Sequence, residues 1–167
     1  MKKIHYISLT LTIIWMIVIF TFSSQTGEAS TGTSGRFVSI IIDIFISDYN
    51  EYTIDEQIEI SNTISLIVRK GAHFTEYFIL GFLWLSTFLS SIHKKESSAQ
   101  SLIVLKRYKW ILYSGSLSCI YAMSDEIHQG FTAGRSPAVL DVLIDTIGGF
   151  AGAFIAFFIL YACVKRS

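Results

Sequence analysis

The chain has 167 residues, about half of them apolar, with a single proline and a formal net charge of zero. Its length suggests one domain, and its apolar residues are gathered in four blocks long enough to cross a bilayer, which argues against an ordinary soluble protein of the same size. The expected partner is the lipid bilayer; nucleic acid is not expected.

In chain order, the first apolar block covers about residues 4–22, behind Lys2 and Lys3. A cleaved signal peptide has a shorter apolar core and a small-x-small cleavage site. Here the run ends in Phe22-Ser23-Ser24-Gln25, so an uncleaved span is the better reading. An outer loop over residues 23–69 follows. Its first part, to Gly35, is rich in Ser, Thr and Gly and reads as irregular. From Arg36 to Ser47 the polar residues at 36, 39, 43 and 47 draw one narrow stripe on a short helix. That helix is too short to span and belongs in the membrane interface. Ile54, Ile58, Ile64 and Val68 mark a second helical segment that runs into the next span, with Gly71 as a local irregularity.

Three further spans are expected over about 70–92, 108–128 and 138–164. Each of the four reaches the roughly 20 residues that a helix needs to cross a bilayer core. The fourth is expected to open with Ser136 as N-cap and Pro137 as first helical residue. The fold class is therefore an all-α membrane protein, a four-helix bundle with a long outer loop containing short interfacial helices. Basic residues mark the cytoplasmic side. Lys2, Lys3, Lys94, Lys95, Lys106, Arg107, Lys109, Lys165 and Arg166 fall on one side. Arg36, Arg69, Lys70 and Arg135 fall on the other, beside the acidic first loop. Both termini are expected inside. Cys119 and Cys163 lie within spans and read as small buried hydrophobes.

Ionisable side chains are expensive inside a bilayer, yet seven interrupt these spans: His73, Glu76, Asp125, Glu126, His128, Asp141 and Asp145. Given the topology, all converge on the outer half of the bundle. His73 and Glu76 share a helix face, with Tyr77 beside them. Ser114, Ser118, Tyr121, Asp125 and His128 form one stripe; Asp141, Asp145, Gly148, Gly152 and Ala156 form another. The small residues of the second let helix backbones approach closely. Three chemistries remain open. Asp125, Glu126, Asp141 and Asp145, with His73 or His128, could hold a divalent metal. A His–Glu pair could act as general base and acid. Lys70 and Arg135 could bind a phosphate or carboxylate while the acids receive a cation or amine, without any reaction. A structural role for the whole set is the blander alternative.

The segment from Arg69 to Tyr77 with Leu80-Gly81 resembles the second-span motif of the VanZ-like membrane proteins. So do Ser124-Asp125-Glu126-Ile127-His128-Gln129-Gly130-Phe131 with Gly134-Arg135, and Asp141 to Thr146 with Gly148 or Gly149. Phe22-Ser23-Ser24-Gln25 is similar to the family pattern after the first span, and Ala133 departs from it where many relatives carry proline. The resemblance adds Ser24, Gln25 and Gln129 to Lys70, Tyr77, Arg135 and Asp141 as candidate ligand-binding residues. It leaves His73, Glu76, Asp125, Glu126, His128 and Asp145 as candidate catalytic ones. It implies a plasma-membrane protein of a Gram-positive-type cell envelope, in a family named for resistance to the glycopeptide teicoplanin. The expected ligand is amphiphilic, a lipid-linked envelope precursor or a lipoglycopeptide, which the protein binds or processes. The alternative is an accessory subunit of a membrane complex without enzymatic activity.

Overall fold

A computed structural model describes residues 2–92 and 100–166, with side chains described for 3–91 and 108–159. Lys94 and Lys95 of the expected hairpin lie outside the described residues, as do the side chains of Lys2, Lys106, Arg107, Cys163, Lys165 and Arg166. The described residues form five α-helices: α1 (Lys2–Ser23), α2 (Gly27–Phe45), α3 (Ile54–Ile92), α4 (Gln100–Gln129) and α5 (Val139–Arg166), with one 3-10 turn at Tyr49–Glu51. No strand occurs among them.

The segment read as irregular is helical. Helix α2 starts at Gly27, because Thr26 caps it by accepting the Ala29 N–H at 3.3 Å and Glu28 complements the first turn. The hydroxyls that weaken helix propensity bond back to their own helix, Thr31 to the Gly27 carbonyl at 2.8 Å and Thr33 to the Ala29 carbonyl at 3.1 Å. The helix expected in the membrane interface is therefore 19 residues long rather than about twelve. Helix α3 begins with a capping box, in which Glu56 accepts the Thr53 N–H at 2.9 Å and its hydroxyl at 2.7 Å. These bonds hold the Glu56 carboxyl below its ordinary pKa. The helix then runs through Gly71 without a break for 39 residues, about 58 Å at 1.5 Å per residue. The expected irregularity at Gly71 is absent. Helix α5 opens at Val139, so Ser136 is not its cap; the amide of Ala138 is satisfied from another helix instead.

Side-chain contacts show how the long helices run. Trp15 Nε1–H donates to the Glu76 carbonyl at 2.8 Å, and the Thr12 and Thr87 hydroxyls share a 3.0 Å bond, so α1 and α3 are antiparallel. The Tyr121 hydroxyl donates to the Met16 carbonyl at 2.7 Å, near the ends that α1 and α4 share. Helix α5 packs along α3 in parallel and against α4, with the α3–α5 contact the most extensive of all. Glycine makes that contact possible. A Cβ on Gly152 would overlap the Phe78 carbonyl, one on Gly148 the Phe74 carbonyl, and one on Gly81 the Gly149 carbonyl. Of the expected stripe on α5, Asp145, Gly148, Gly152 and Ala156 are buried, and Asp141 is half-buried at the cleft.

Two helical segments, Lys3–Ser23 and Val139–Ile159, are long and apolar enough to cross a membrane. The described parts of α3 and α4 are helical where spans are expected but fall short of that apolarity. Ser86, Thr87, Ser90 and Ser91, with His73 and Glu76, dilute the first; Ser114, Ser116 and Ser118 dilute the second.

Replacing Gly152 by alanine is expected to cost about 1–3 kcal/mol by forcing α5 off the α3 backbone. The same change at Gly71, which has open space around it, should instead stabilise the helix by about 0.5–1 kcal/mol. Unfolding midpoints of the two variants in the same detergent check the contrast.

Candidate functional site

Three helix segments meet at one end of the bundle: residues 66–77 of α3, the last turn of α4 and the first turns of α5. The loop from Gly130 to Ala138 ties them together. Gly134 adopts a φ of 75°, a left-handed turn conformation that favours glycine. This turn presents the Ala133 carbonyl to the Gly27 N–H at 3.1 Å and brings Gly134 against Gly27, backbone to backbone. The start of α2 is thereby fixed as one wall of a cleft.

The cleft holds about 150 Å³ and is lined chiefly by Arg69, Lys70, His73, Gln129, Arg135 and Asp141, with Gly27 and Gly134 at its edge. Lys70 forms an ion pair with Asp141 across the α3–α5 contact. Arg135 Nη1–H donates to Gln129 Oε1 at 2.9 Å, and Gln129 Nε2–H donates to Asp125 Oδ2 at 3.2 Å. A relay thus runs from the cleft surface into the bundle. His73 Nδ1 lies 3.8 Å from Glu76 Oε2, close enough for charge pairing but too far for a hydrogen bond. His73 also stands within Coulombic range of Arg135, Asp125, Asp141 and Lys70.

Beneath the cleft, Asp125, Glu126, Gln129 and Asp145 are all buried, and Tyr77 is fully buried beside them. Glu126 acts structurally, since its Oε1 accepts the Ala138 N–H at 2.5 Å. It does for the start of α5 what an N-cap side chain would do, because Ala138 carries no acceptor of its own.

Several expected residues turn elsewhere. His128 stacks on Phe20 with ring centroids 4.6 Å apart and meets the Ser24 hydroxyl at 3.2 Å, so it braces α4 against α1 away from the cleft. Ser24 is exposed and Gln25 half-buried, and neither lines the cleft. In that segment it is Ser23 that is buried. The four carboxylates considered as metal ligands do not fit that role together. Asp141 faces Lys70, Glu126 faces Ala138 and Asp125 faces Gln129. Among the described residues, no three His, Cys, Asp or Glu side chains converge as a metal-holding group.

Sequence reasoning missed Arg69 and Gly27 as cleft residues. Arg69 is visible in the sequence as an outer basic residue and as the start of the second-span motif; its place in the cleft depends on α3 continuing unbroken. Gly27 could have been found from Thr26-Gly27-Glu28, a capping residue followed by an acid in the first turn.

An all-helical bundle with two helices apolar enough to span, and with ionisable side chains buried where three helices meet, defines a membrane protein with a polar site at one end. The particular family follows from comparison: the VanZ/LLP1 family model matches residues 8–161, and the chain belongs to that family. Comparison with curated proteins and with solved structures finds no match.

Glu126→Ala leaves the Ala138 N–H unpaired and is expected to destabilise the protein by about 1–3 kcal/mol. Glu126→Gln keeps an acceptor oxygen and should recover most of that loss. Hydrogen exchange at residues 138–142 and the unfolding midpoint together check it.

Proposed function

We propose that this protein crosses the plasma membrane four times with both termini inside, and that its outer-face cleft binds the anionic headgroup of an amphiphilic or lipid-linked envelope ligand. The inverted packing supports four spans. Large apolar side chains point outward on α1, α4 and α5, among them Ile7, Ile14, Ile120, Met123, Leu143 and Phe154, while α3 is the helix that the others pack around. Polar groups such as Thr12, Thr87, Ser114, Ser118 and Asp145 point inward. In water so much exposed apolar surface would be a liability; in lipid it is the favourable arrangement, and interior hydroxyls join the helices. The excess of Lys and Arg on the segments joining the other helix ends supports the orientation.

The observation that carries the ligand reading is the charge around the cleft. Arg69, Lys70 and Arg135 line it against the single carboxylate of Asp141. The N-terminal end of α2 adds a helix dipole of favourable sign for an anion. A guanidinium held by Gln129 presents its remaining N–H groups to a phosphate or carboxylate. His73 lines the same cleft with Glu76 behind it, so a general acid–base step on the bound headgroup is the stronger form of the proposal. Any effect on teicoplanin susceptibility in a Gram-positive-type cell would pass through this site.

The accessory-subunit reading is favoured by the mutual pairing of motif residues, Lys70 with Asp141 and Glu126 with Ala138. The cleft favours binding, since residues with only a sealing role have no need of three cations at an open surface.

Arg135→Gln and Lys70→Gln should each weaken retention of phosphatidylglycerol by on the order of tenfold, the worth of one charge-assisted hydrogen bond. Native mass spectrometry of the purified protein reads retention, and size-exclusion profiles check that both variants remain folded. Wild-type retention in both variants would overturn the proposal, as would a full phenotypic rescue of a deletion strain by either one.

A further inference from the structure

Beneath the cleft lie oxygens that the rest of the fold leaves without partners. Asp125 is 4% exposed, Asp145 is 2% exposed and Tyr77 is 0% exposed. Asp125 Oδ1, Asp145 Oδ1 and the Tyr77 hydroxyl find no hydrogen-bond partner among the described residues. They come from three different helices, and Tyr77 packs in one cluster with Ala122 of α4 and Val142 of α5, each one helical turn from its aspartate. Among the described residues Lys70 pairs with Asp141, and His73 has Glu76 as its nearest carboxylate, so neither Asp125 nor Asp145 has a cationic side chain at pairing distance.

Burying a carboxylate without a partner is costly, and an apolar surrounding offers nothing in exchange. Carboxylates only accept hydrogen bonds, and a phenol both accepts and donates. Tyr77 supplies one donor, so with both carboxylates ionised the group still lacks further donors and a balancing positive charge. A primary ammonium, with three N–H donors and one positive charge, meets that need. Two carboxylates and a phenol do not make the all-oxygen cage of six or more ligands that calcium requires.

We propose that Asp125, Asp145 and Tyr77 receive the primary ammonium of the same ligand whose anionic group occupies the cleft, so that the headgroup class is a zwitterionic aminated phosphate or carboxylate. This rests on reading the cleft as the anion site. Gln129 stands between the two halves. It lines the cleft, holds Arg135 with its oxygen and donates to Asp125 with its nitrogen at 3.2 Å. An ammonium on the free Asp125 Oδ1 leaves the Gln129 amide nitrogen on Oδ2 and its oxygen on Arg135. Anion and amine are then sensed by one side chain.

The test uses the full chain in nanodiscs and reads lipid retention by native mass spectrometry. Phosphatidylethanolamine supplies phosphate and ammonium, phosphatidylcholine a phosphate with an amine that has no N–H, and phosphatidylglycerol a phosphate alone. Wild type is expected to retain phosphatidylethanolamine about tenfold over the other two, a preference of about 1.4 kcal/mol. Asp145→Asn and Tyr77→Phe should reduce the preference to about twofold or less by lowering phosphatidylethanolamine retention more than that of the other two lipids. Arg135→Gln should weaken all three lipids. Equal retention of the three by wild type would overturn the ammonium site and leave the anion site standing. Preservation of the preference in Tyr77→Phe, the more conservative variant, would also overturn it. Failure of wild type to retain any phospholipid would overturn both readings. A rise in thermal stability with sodium over N-methylglucamine in lipid-free detergent, lost in Asp145→Asn, would assign the oxygens to a free cation instead.

Discussion

Backbone contact between α3 and α5 is the constraint on which the rest of the structure depends. Gly81, Gly148 and Gly152 let the two helices run side by side with no Cβ between them, and a side chain at any of these would meet a carbonyl of the facing helix. Close approach of this kind strengthens dispersion contacts, which are the main attraction between helices when lipid rather than water is the solvent. It also fixes register. With Gly148 against Phe74 in parallel helices, Asp141 is brought opposite Lys70. The cleft is a consequence of that register, since its two sides belong to the two helices.

Around this pair the other helices are joined by polar contacts as much as by apolar ones. Thr12 with Thr87, Trp15 with the Glu76 carbonyl and Tyr121 with the Met16 carbonyl attach α1 to α3 and α4. Ser114 and Ser118 direct their hydroxyls to carbonyls of their own helix, which lets α4 present small surfaces to α5. Gly149 uses that surface by packing against Ser118. At the cleft end the polar contacts become charged ones, and Gln129 and Glu126 orient them. Both are buried side chains that satisfy one group on the loop or on α5.

Much of this is legible in the residues. Period-3.6 stripes locate the inward faces of α4 and α5, and the cost of buried charge singles out Glu76, Asp125 and Asp145 from the sequence alone. What is not legible has physical causes. The Ser/Thr-rich start of α2 reads as a loop by propensity, but its hydroxyls bond back to the helix and its first residue is anchored on the Gly134 turn, a contact more than a hundred residues away in sequence. Spacing on α4 puts His128 in line with Asp125, whereas at the helix end the ring meets Phe20 and Ser24 instead. A metal can be entertained from four carboxylates on two helices; the separate commitments of Asp141, Glu126 and Asp125 to Lys70, Ala138 and Gln129 are tertiary facts. The coarse site is readable, and its division of labour is not.

The central claim is that the cleft opens on the outer face of a four-span bundle. It is tested most directly by labelling single cysteines in intact cells with a membrane-impermeant maleimide, in a chain whose Cys119 and Cys163 are replaced by alanine. Ser136, exposed at the cleft, and Lys109, exposed at the start of the span expected in α4, are the informative positions. Ser136→Cys is expected to be labelled in intact cells and Lys109→Cys only after permeabilisation. Labelling of both from outside, or the reverse pattern, would contradict the claim.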